Sequence, residues 1–245
     1  MHIIMFDTIV LLCGPIEQTA LAALLRRHNP HLTLRLAQTL SELEALPQSE
    51  LRHARLIAFL TPVIVPARFL DALGYGAYNF HPGPPQYPGW LPSYFAVYDG
   101  VARFGVTAHR MIERVDAGPI VGVSYFDVAP NTGPVALEQR AFVEIARLFW
   151  QLSETLATQS EPLPVLPVAW AGRKTTRRDF LTACDIAPDI SAPELDRRLA
   201  AFGNGAFGIQ PTITLHGHCF RYVPPQLDPS AEAAPAAPAR KSSVG

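Results

Sequence analysis

Cysteine is scarce: the 245-residue chain has three, Cys13, Cys184 and Cys219. They share no Cys-x-x-Cys spacing, and their odd number argues against a disulfide framework, so a reducing, cytoplasmic setting is expected. Charge is thin and balanced. There are 20 Lys and Arg against 21 Asp and Glu, a net charge of −1, and the densest basic group is the broken cluster Arg173, Lys174, Arg177, Arg178. Such a balance excludes nucleic-acid binding as a dominant function. No apolar run is long enough to span a bilayer, so no membrane partner is expected. The N-terminal run, Ile3 to Leu12, lacks a basic flank and a small-residue cleavage site and reads as a first buried strand. Also missing is a P-loop, which argues against a generic nucleotide-binding α/β protein. His216-Gly217-His218-Cys219 would need a further ligand to hold zinc; a strand edge is expected there, and no metal.

What is present is apolar. Hydrophobic residues make up 49% of the chain, enough for one main core and a short appendage. Strand-like runs at Ile3 to Leu12, Leu32 to Leu36, Leu56 to Leu60 and Ala77 to Phe80 alternate with helical patterns at Glu17 to His28, Ser41 to Leu46 and Ala67 to Leu73. That rhythm predicts an open, mainly parallel Rossmann-like α/β sheet with helices on both faces. In the first helix Ile16, Leu21, Leu24 and Leu25 fall on roughly one face. A helix over Tyr94 to Tyr98, strands over Val106 to Ile112 and Ile120 to Val128, and a long helix over Val135 to Leu156 are expected next. Three prolines between Glu161 and Pro167 mark an extended connector. A small module follows, with Trp170-Ala-Gly-Arg-Lys, a helix capped by Ser191 with Glu194 at the capping-box position, and a hairpin at His216-Gly217. The expected division is a main domain over 1–160, an extension over 161–223 and a disordered Ala/Pro-rich tail over 224–245.

The most informative stretch is Tyr78-Asn-Phe-His-Pro-Gly-Pro-Pro-Gln-Tyr-Pro-Gly-Trp90. Asn79 and His81 are two apart at a strand end, so both side chains point the same way, and the stiff Pro/Gly loop after them stops the strand. An amide and an imidazole held together at a sheet edge can cradle an oxyanion. In doubly wound sheets the ligand lies beyond the carboxyl ends of the strands, where these two residues fall. Further on come Phe104-Gly-Val-Thr-Ala-His109 and Val115-Asp-Ala-Gly-Pro-Ile120, which add a carboxylate, Asp116. Thr107 and His109 alternate on their strand and share a face.

On Asn79, His81, Pro82, Gly89, Gly105, Thr107, His109, Asp116 and Gly118, between about Ile57 and Ile120, the chain resembles the folate-dependent formyltransferases. These include the glycinamide ribonucleotide, methionyl-tRNA and sugar-nucleotide N-formyltransferases. It departs from them in one place, where Gly83-Pro84-Pro85-Gln86 replaces the usual Ser-Leu-Leu-Pro after His-Pro. The resemblance implies transfer of a formyl group from 10-formyltetrahydrofolate, without a metal, to an amine. Asn79 and His81 would stabilise the oxyanion, with His81 made cationic by Asp116, and Asp116 would move protons. It implies a folate pocket at Leu60, Thr61, Pro62, Val63, Ile64 and Val115, while Thr107 and His109 stand behind the catalytic residues. Tyr87 and Trp90 either meet the acceptor or pack structurally.

The acceptor is expected to be a small molecule. The turn Cys13-Gly14-Pro15-Ile16-Glu17, with one glycine, a proline and an acid, would serve a phosphate poorly. No counterpart of the basic C-terminal domain of the tRNA enzymes is expected. An amino sugar, free or nucleotide-linked, or an amino-acid-derived amine remains. A 10-formyltetrahydrofolate hydrolase and a non-catalytic folate-binding protein are the alternatives.

Overall fold

A computed structural model describes residues 6–224; residues 3–5 of the apolar N-terminal run and residues 225–245 of the expected tail lie outside the described residues. In chain order the elements are β1 (Thr8–Leu12), α1 (Pro15–His28), β2 (Thr33–Ala37), α2 (Leu40–Glu44), α3 (Gln48–Leu51), β3 (Ala54–Phe59), α4 (Ala67–Ala72) and β4 (Ala77–His81). After them come α5 (Pro92–Asp99), β5 (Arg103–Arg110), β6 (Ile120–Asp127), α6 (Pro134–Thr158), α7 (Arg177–Cys184), β7 (Asp185–Ile186), α8 (Ala192–Phe202), β8 (Thr212–Leu215) and β9 (His218–Arg221).

The main sheet has the order β2-β1-β3-β4-β5-β6. Its first four strands are parallel, β5 pairs antiparallel with β4, and β6 pairs antiparallel with β5. The inner strands β1 and β3 are buried along their whole length, as continuous apolar runs in a parallel sheet covered on both faces should be. Alternation along the strands divides the core. Tyr78, Phe80, Phe104, Val106 and Ala108 pack with Leu137, Ile145 and Phe149 of α6 in one cluster. Val10, Leu12, Leu56 and Ala58 pack with Leu43 and Phe69 in another on the opposite face. The buried residues of α6 recur at helical spacing, so this long helix presents one apolar stripe to the sheet.

Two expectations are corrected. Ile16 does not join the apolar face of α1: it is 82% exposed, because the helix begins at Pro15 and its first turn overhangs the core. Gln18, Leu21, Ala22 and Leu25 make the buried face instead. Ser191 does precede α8 but its side chain makes no cap hydrogen bond. Glu194 is drawn away to the Tyr98 hydroxyl, Arg197 and Arg198. Capping boxes form instead at α2, between Thr39 and Glu42, and at α7, between Thr176 and Asp179. The turn at His216-Gly217 is as expected, both residues having positive φ between paired Leu215 and His218, the geometry of a type I′ hairpin.

The connector after α6 lies along the sheet rather than away from it. Leu163 N–H donates to the Tyr78 hydroxyl, Arg110 Nη2 donates to the Leu163 carbonyl, and Leu166 N–H donates to Ile120. Its start is pinned by Arg55, a fully buried arginine on β3. Arg55 donates to the carbonyls of Leu156 at 2.7 Å, Glu161 at 3.2 Å, and Ser160 and Tyr75 at 3.3 Å. Its guanidinium also lies over the rings of Phe6 and Tyr78. A cation at a helix C-terminus complements the dipole, and four carbonyls stand in for a counter-ion. Replacing Arg55 by Met should destabilise the fold by about 3 kcal/mol in urea denaturation, and a change below about 1 kcal/mol would show that water satisfies these carbonyls equally well.

Candidate active site

The site forms at the carboxyl end of β4. Because Tyr78 and Phe80 enter the α6 core, Asn79 and His81 face the other side of the sheet. Across the antiparallel pairing Asn79 stands opposite His109 and His81 opposite Thr107. Between Ala108 and His109 the register skips Val121, a bulge in β6 of the kind that re-aims side chains beside a site. The loop from β5 to β6 then folds back on its own strand. Gly118 lies so close to the Arg110 carbonyl that a β-carbon there would come within 1.9 Å of it, so no larger residue fits. Asp116 takes a left-handed conformation, φ +47°, which aspartate tolerates better than most residues.

This fold-back delivers the Asp116 carboxylate to four partners. Oδ2 accepts from the Gly89 backbone N–H at 2.9 Å and lies 3.5 Å from His81 Nδ1. Oδ1 lies 3.3 Å from His109 Nε2 and 3.5 Å from Asn79 Nδ2. His109 Nδ1–H donates to the Arg110 carbonyl at 2.9 Å, and its Nε2 is 3.2 Å from Asn79 Nδ2. A protonated His109 therefore donates to Asp116, and a neutral one accepts from Asn79. His81 Nε2–H donates to the Tyr87 carbonyl at 2.9 Å, so Nδ1 is the nitrogen left for chemistry.

Burial opposes charge on Asp116, but His81, His109 and the Gly89 N–H together outweigh it and hold the carboxyl well below the usual range. His81 is 4% exposed, and its burial lowers the imidazole pKa by more than the Asp116 carboxylate raises it. Desolvation thus works against the expectation of a cationic His81 and outweighs the carboxylate that favours it.

An amide, an imidazole with one nitrogen free and a buried carboxylate at a sheet's carboxyl edge is an arrangement for moving a proton beside a developing oxyanion. Residues 49–149, which contain all three, match the family model described as formyl transferase. This segment belongs to the formyl transferase family. The methionyl-tRNA formyltransferase of Listeria welshimeri is 32% identical over 122 residues, covering 49% of this chain and 37% of that protein. The chain's match thus spans well under half the length of this curated relative. A sugar N-formyltransferase from a Shewanella species superposes with a TM-score of 0.72 at 16% identity, over 89% of this chain and 96% of that one. An N-formyltransferase from Helicobacter canadensis, solved with folinic acid and dTDP-3-aminofucose, gives 0.60 at 14% identity, over 87% and 85%. At these identities the two structures speak for the fold.

Within the formyl transferase segment, the loop from Pro82 to Trp90 is held from behind. Thr107 Oγ1–H, fully buried, donates to the Gly83 carbonyl at 2.8 Å. The segment after the connector straps across the loop: Ala171 N–H donates to Pro85, Trp90 N–H to Thr175 and Thr175 N–H to Pro88. Gly89 has φ +100° and no room for a β-carbon beside Thr175, which is why the loop that feeds Asp116 ends in glycine. Trp170 is the residue that sequence reasoning missed. Its ring stands edge-on to His109 at 5.0 Å and to His81 at 5.8 Å, and its Nε1–H donates to the Gly118 carbonyl at 2.8 Å. A lone tryptophan in a Pro-rich connector was the available signal.

The remaining candidates scatter. Leu60, at φ +50°, turns toward the α5–α6 side and lines a cavity there. Thr61 accepts from the Val63 N–H, Val63 packs against the β3–α4 core, Pro62 is exposed and Ile64 is 67% exposed. Val115, half-buried, precedes Asp116. The Tyr87 hydroxyl donates to Asp99 while its carbonyl serves His81. Trp90 packs against Phe180 and Phe207, so both aromatic rings are taken up in packing.

If Trp170 is what keeps His81 dry, Trp170→Ala should raise the His81 titration midpoint toward the ordinary 6.5 in proton NMR, and Trp170→Phe should raise it less. An unchanged midpoint in the alanine variant would remove Trp170 from that role.

Proposed function

We propose that the chain transfers a formyl group from 10-formyltetrahydrofolate to the amine of a small-molecule acceptor. The observation that carries this reading is the convergence of Asn79, His81 and Asp116, each within 3.5 Å of a neighbour, inside a formyl transferase segment. The folate donor is supported by the Helicobacter canadensis neighbour, which was solved with a folate derivative beside an amino-sugar nucleotide. It is supported too by the loops at this edge, which carry exposed apolar Ile64 and Ile112, the residue type that contacts a flat ring.

In this reading the Asn79 amide and His81 Nδ1 face the formyl oxygen, where negative charge develops as the amine attacks. With Nε2–H committed to the Tyr87 carbonyl, neutral His81 offers a lone pair at Nδ1. It takes a proton from the attacking amine, and the imidazolium so formed is stabilised by Asp116 and becomes the second donor to the oxygen. Asp116 then passes the proton on toward the leaving nitrogen. One N–H bond of the amine is lost and one is gained by the folate, so no other reactant is needed.

Asn79→Ala and His81→Ala should each lower amine-dependent release of tetrahydrofolate by about 100- to 1,000-fold with the fold intact. Release that persists in these variants would remove the residue from the mechanism, and release without any amine would indicate a hydrolase. The pH profile follows from the direction of the His81 shift. The base is neutral above its lowered pKa and is lost only as pH falls through it, so kcat/KM should be flat at neutral pH with an acid limb below 6.5. Activity that instead rises on acidification through 6.5 would mean that His81 works as a cation from the start.

A further inference from the structure

The formyl transferase reading leaves without a role a cavity that adjoins the residue after His81. It has a volume of about 410 Å³, within the range of small-molecule pockets of about 300–1,000 Å³, and lies between α5 and α6. It opens at the catalytic edge of the sheet, for its floor is Leu60, at the end of β3, and Pro82, the residue after His81. Pro92 and Phe142 extend the apolar wall, and Phe142 is 43% exposed at its rim. Two polar groups meet there. Ser93 is 1% exposed, and beyond Glu138 its hydroxyl has no partner. Glu138, half-buried on α6, has no cation partner among the described residues. Burial raises its carboxyl pKa, the sign of a carboxylate short of a counter-charge.

The same edge is ill-suited to phosphate. None of the residues lining the cavity is Lys or Arg. Its nearest helix N-terminus, that of α5, has Pro92 at the first position and so no N–H there, and the Tyr94 N–H is already bonded to the Leu91 carbonyl. At the start of α1 the chain supplies its own anion: Glu17 Oε2 would lie 2.5 Å from a β-carbon at Gly14, so the carboxylate folds back over the helix entrance. A diphosphate brought into the cavity would meet the Glu138 carboxylate and no cation among the lining residues.

Resting on the formyl-transfer reading, the geometry points to this cavity as the acceptor site and to an acceptor that is an alkyl- or arylalkylamine, its ammonium held by Glu138 and Ser93 and its body by Leu60, Pro92 and Phe142. This selects an amino-acid-derived amine without a carboxylate over a nucleotide-linked sugar. The bound ammonium releases one proton through Glu138 to solvent, and the free amine attacks the formyl carbon. The new C–N bond replaces the bond from that carbon to the folate nitrogen, which gains the hydrogen the amine gives up.

The first test needs no turnover. Hexylamine binding, measured by calorimetry at neutral pH, should be present in the wild type, weaker by at least about tenfold in Glu138→Gln and lost in Glu138→Lys, with circular dichroism confirming both folds. Equal binding in wild type and Glu138→Gln would overturn the proposal. In the second, 10-formyltetrahydrofolate is supplied with hexylamine, 2-phenylethylamine or a nucleotide-linked amino sugar, and the two apolar amines should be formylated with at least about tenfold higher kcat/KM. A preference for the nucleotide sugar would overturn the acceptor class while leaving formyl transfer standing. Formylation of no amine at all would remove the reading on which the proposal rests.

Discussion

The arrangement depends on a single buried anion. Asp116 draws four groups from three pieces of chain: the amide of Asn79 and imidazole of His81 from β4, the imidazole of His109 from β5, and the Gly89 N–H from the Pro-rich loop. An ionised carboxylate that has left water must be met by donors, and those that meet it here are the groups the proposed chemistry requires. The strained turn of Asp116, the close approach of Gly118 to Arg110 and the bulge beside His109 all serve to bring the carboxylate and these groups together. The anion also explains why a neutral His81 is useful. A ring that rests uncharged can accept a proton, and the waiting carboxylate makes the charged state accessible when it is needed.

The rest of the fold keeps this small cluster rigid and dry. The sheet supplies Asn79 and His81 on one face because Tyr78 and Phe80 are claimed by α6 on the other. Arg55 ties the end of α6 and the start of the connector to β3. From there the chain runs back over the site, where Trp170 covers both histidines and the strap through Thr175 holds the loop that carries Tyr87 and Gly89. A segment that looked from sequence like an appendage is thus part of the wall of the site.

Much of this was legible in the residues. The alternation of apolar runs and helical patterns marked the parallel strands. The period-two spacing of Asn79 with His81 and of Thr107 with His109 places each pair on one face. What could not be read was whatever depends on contacts distant in sequence. Trp170 reaches His81 across 89 positions, and no local pattern announces that meeting. The charge of His81 turned on a balance between burial and a carboxylate, and only the structure gives the burial. Glu194 had the right spacing for a capping box with Ser191, yet Tyr98 and two arginines compete for it. Leu60 sat in a plausible folate wall, but its left-handed backbone turns it to the opposite side.

The central claim is that Asn79, His81 and Asp116 converge on the formyl group of a folate. A crystal structure with a hydrolysis-resistant analogue of the 10-formyl donor tests it directly. The account predicts the formyl oxygen within hydrogen-bond distance of Asn79 Nδ2 and His81 Nδ1, with Asp116 still bound to the Gly89 N–H. An analogue seated elsewhere, or one whose formyl group faces away from both nitrogens, would contradict it.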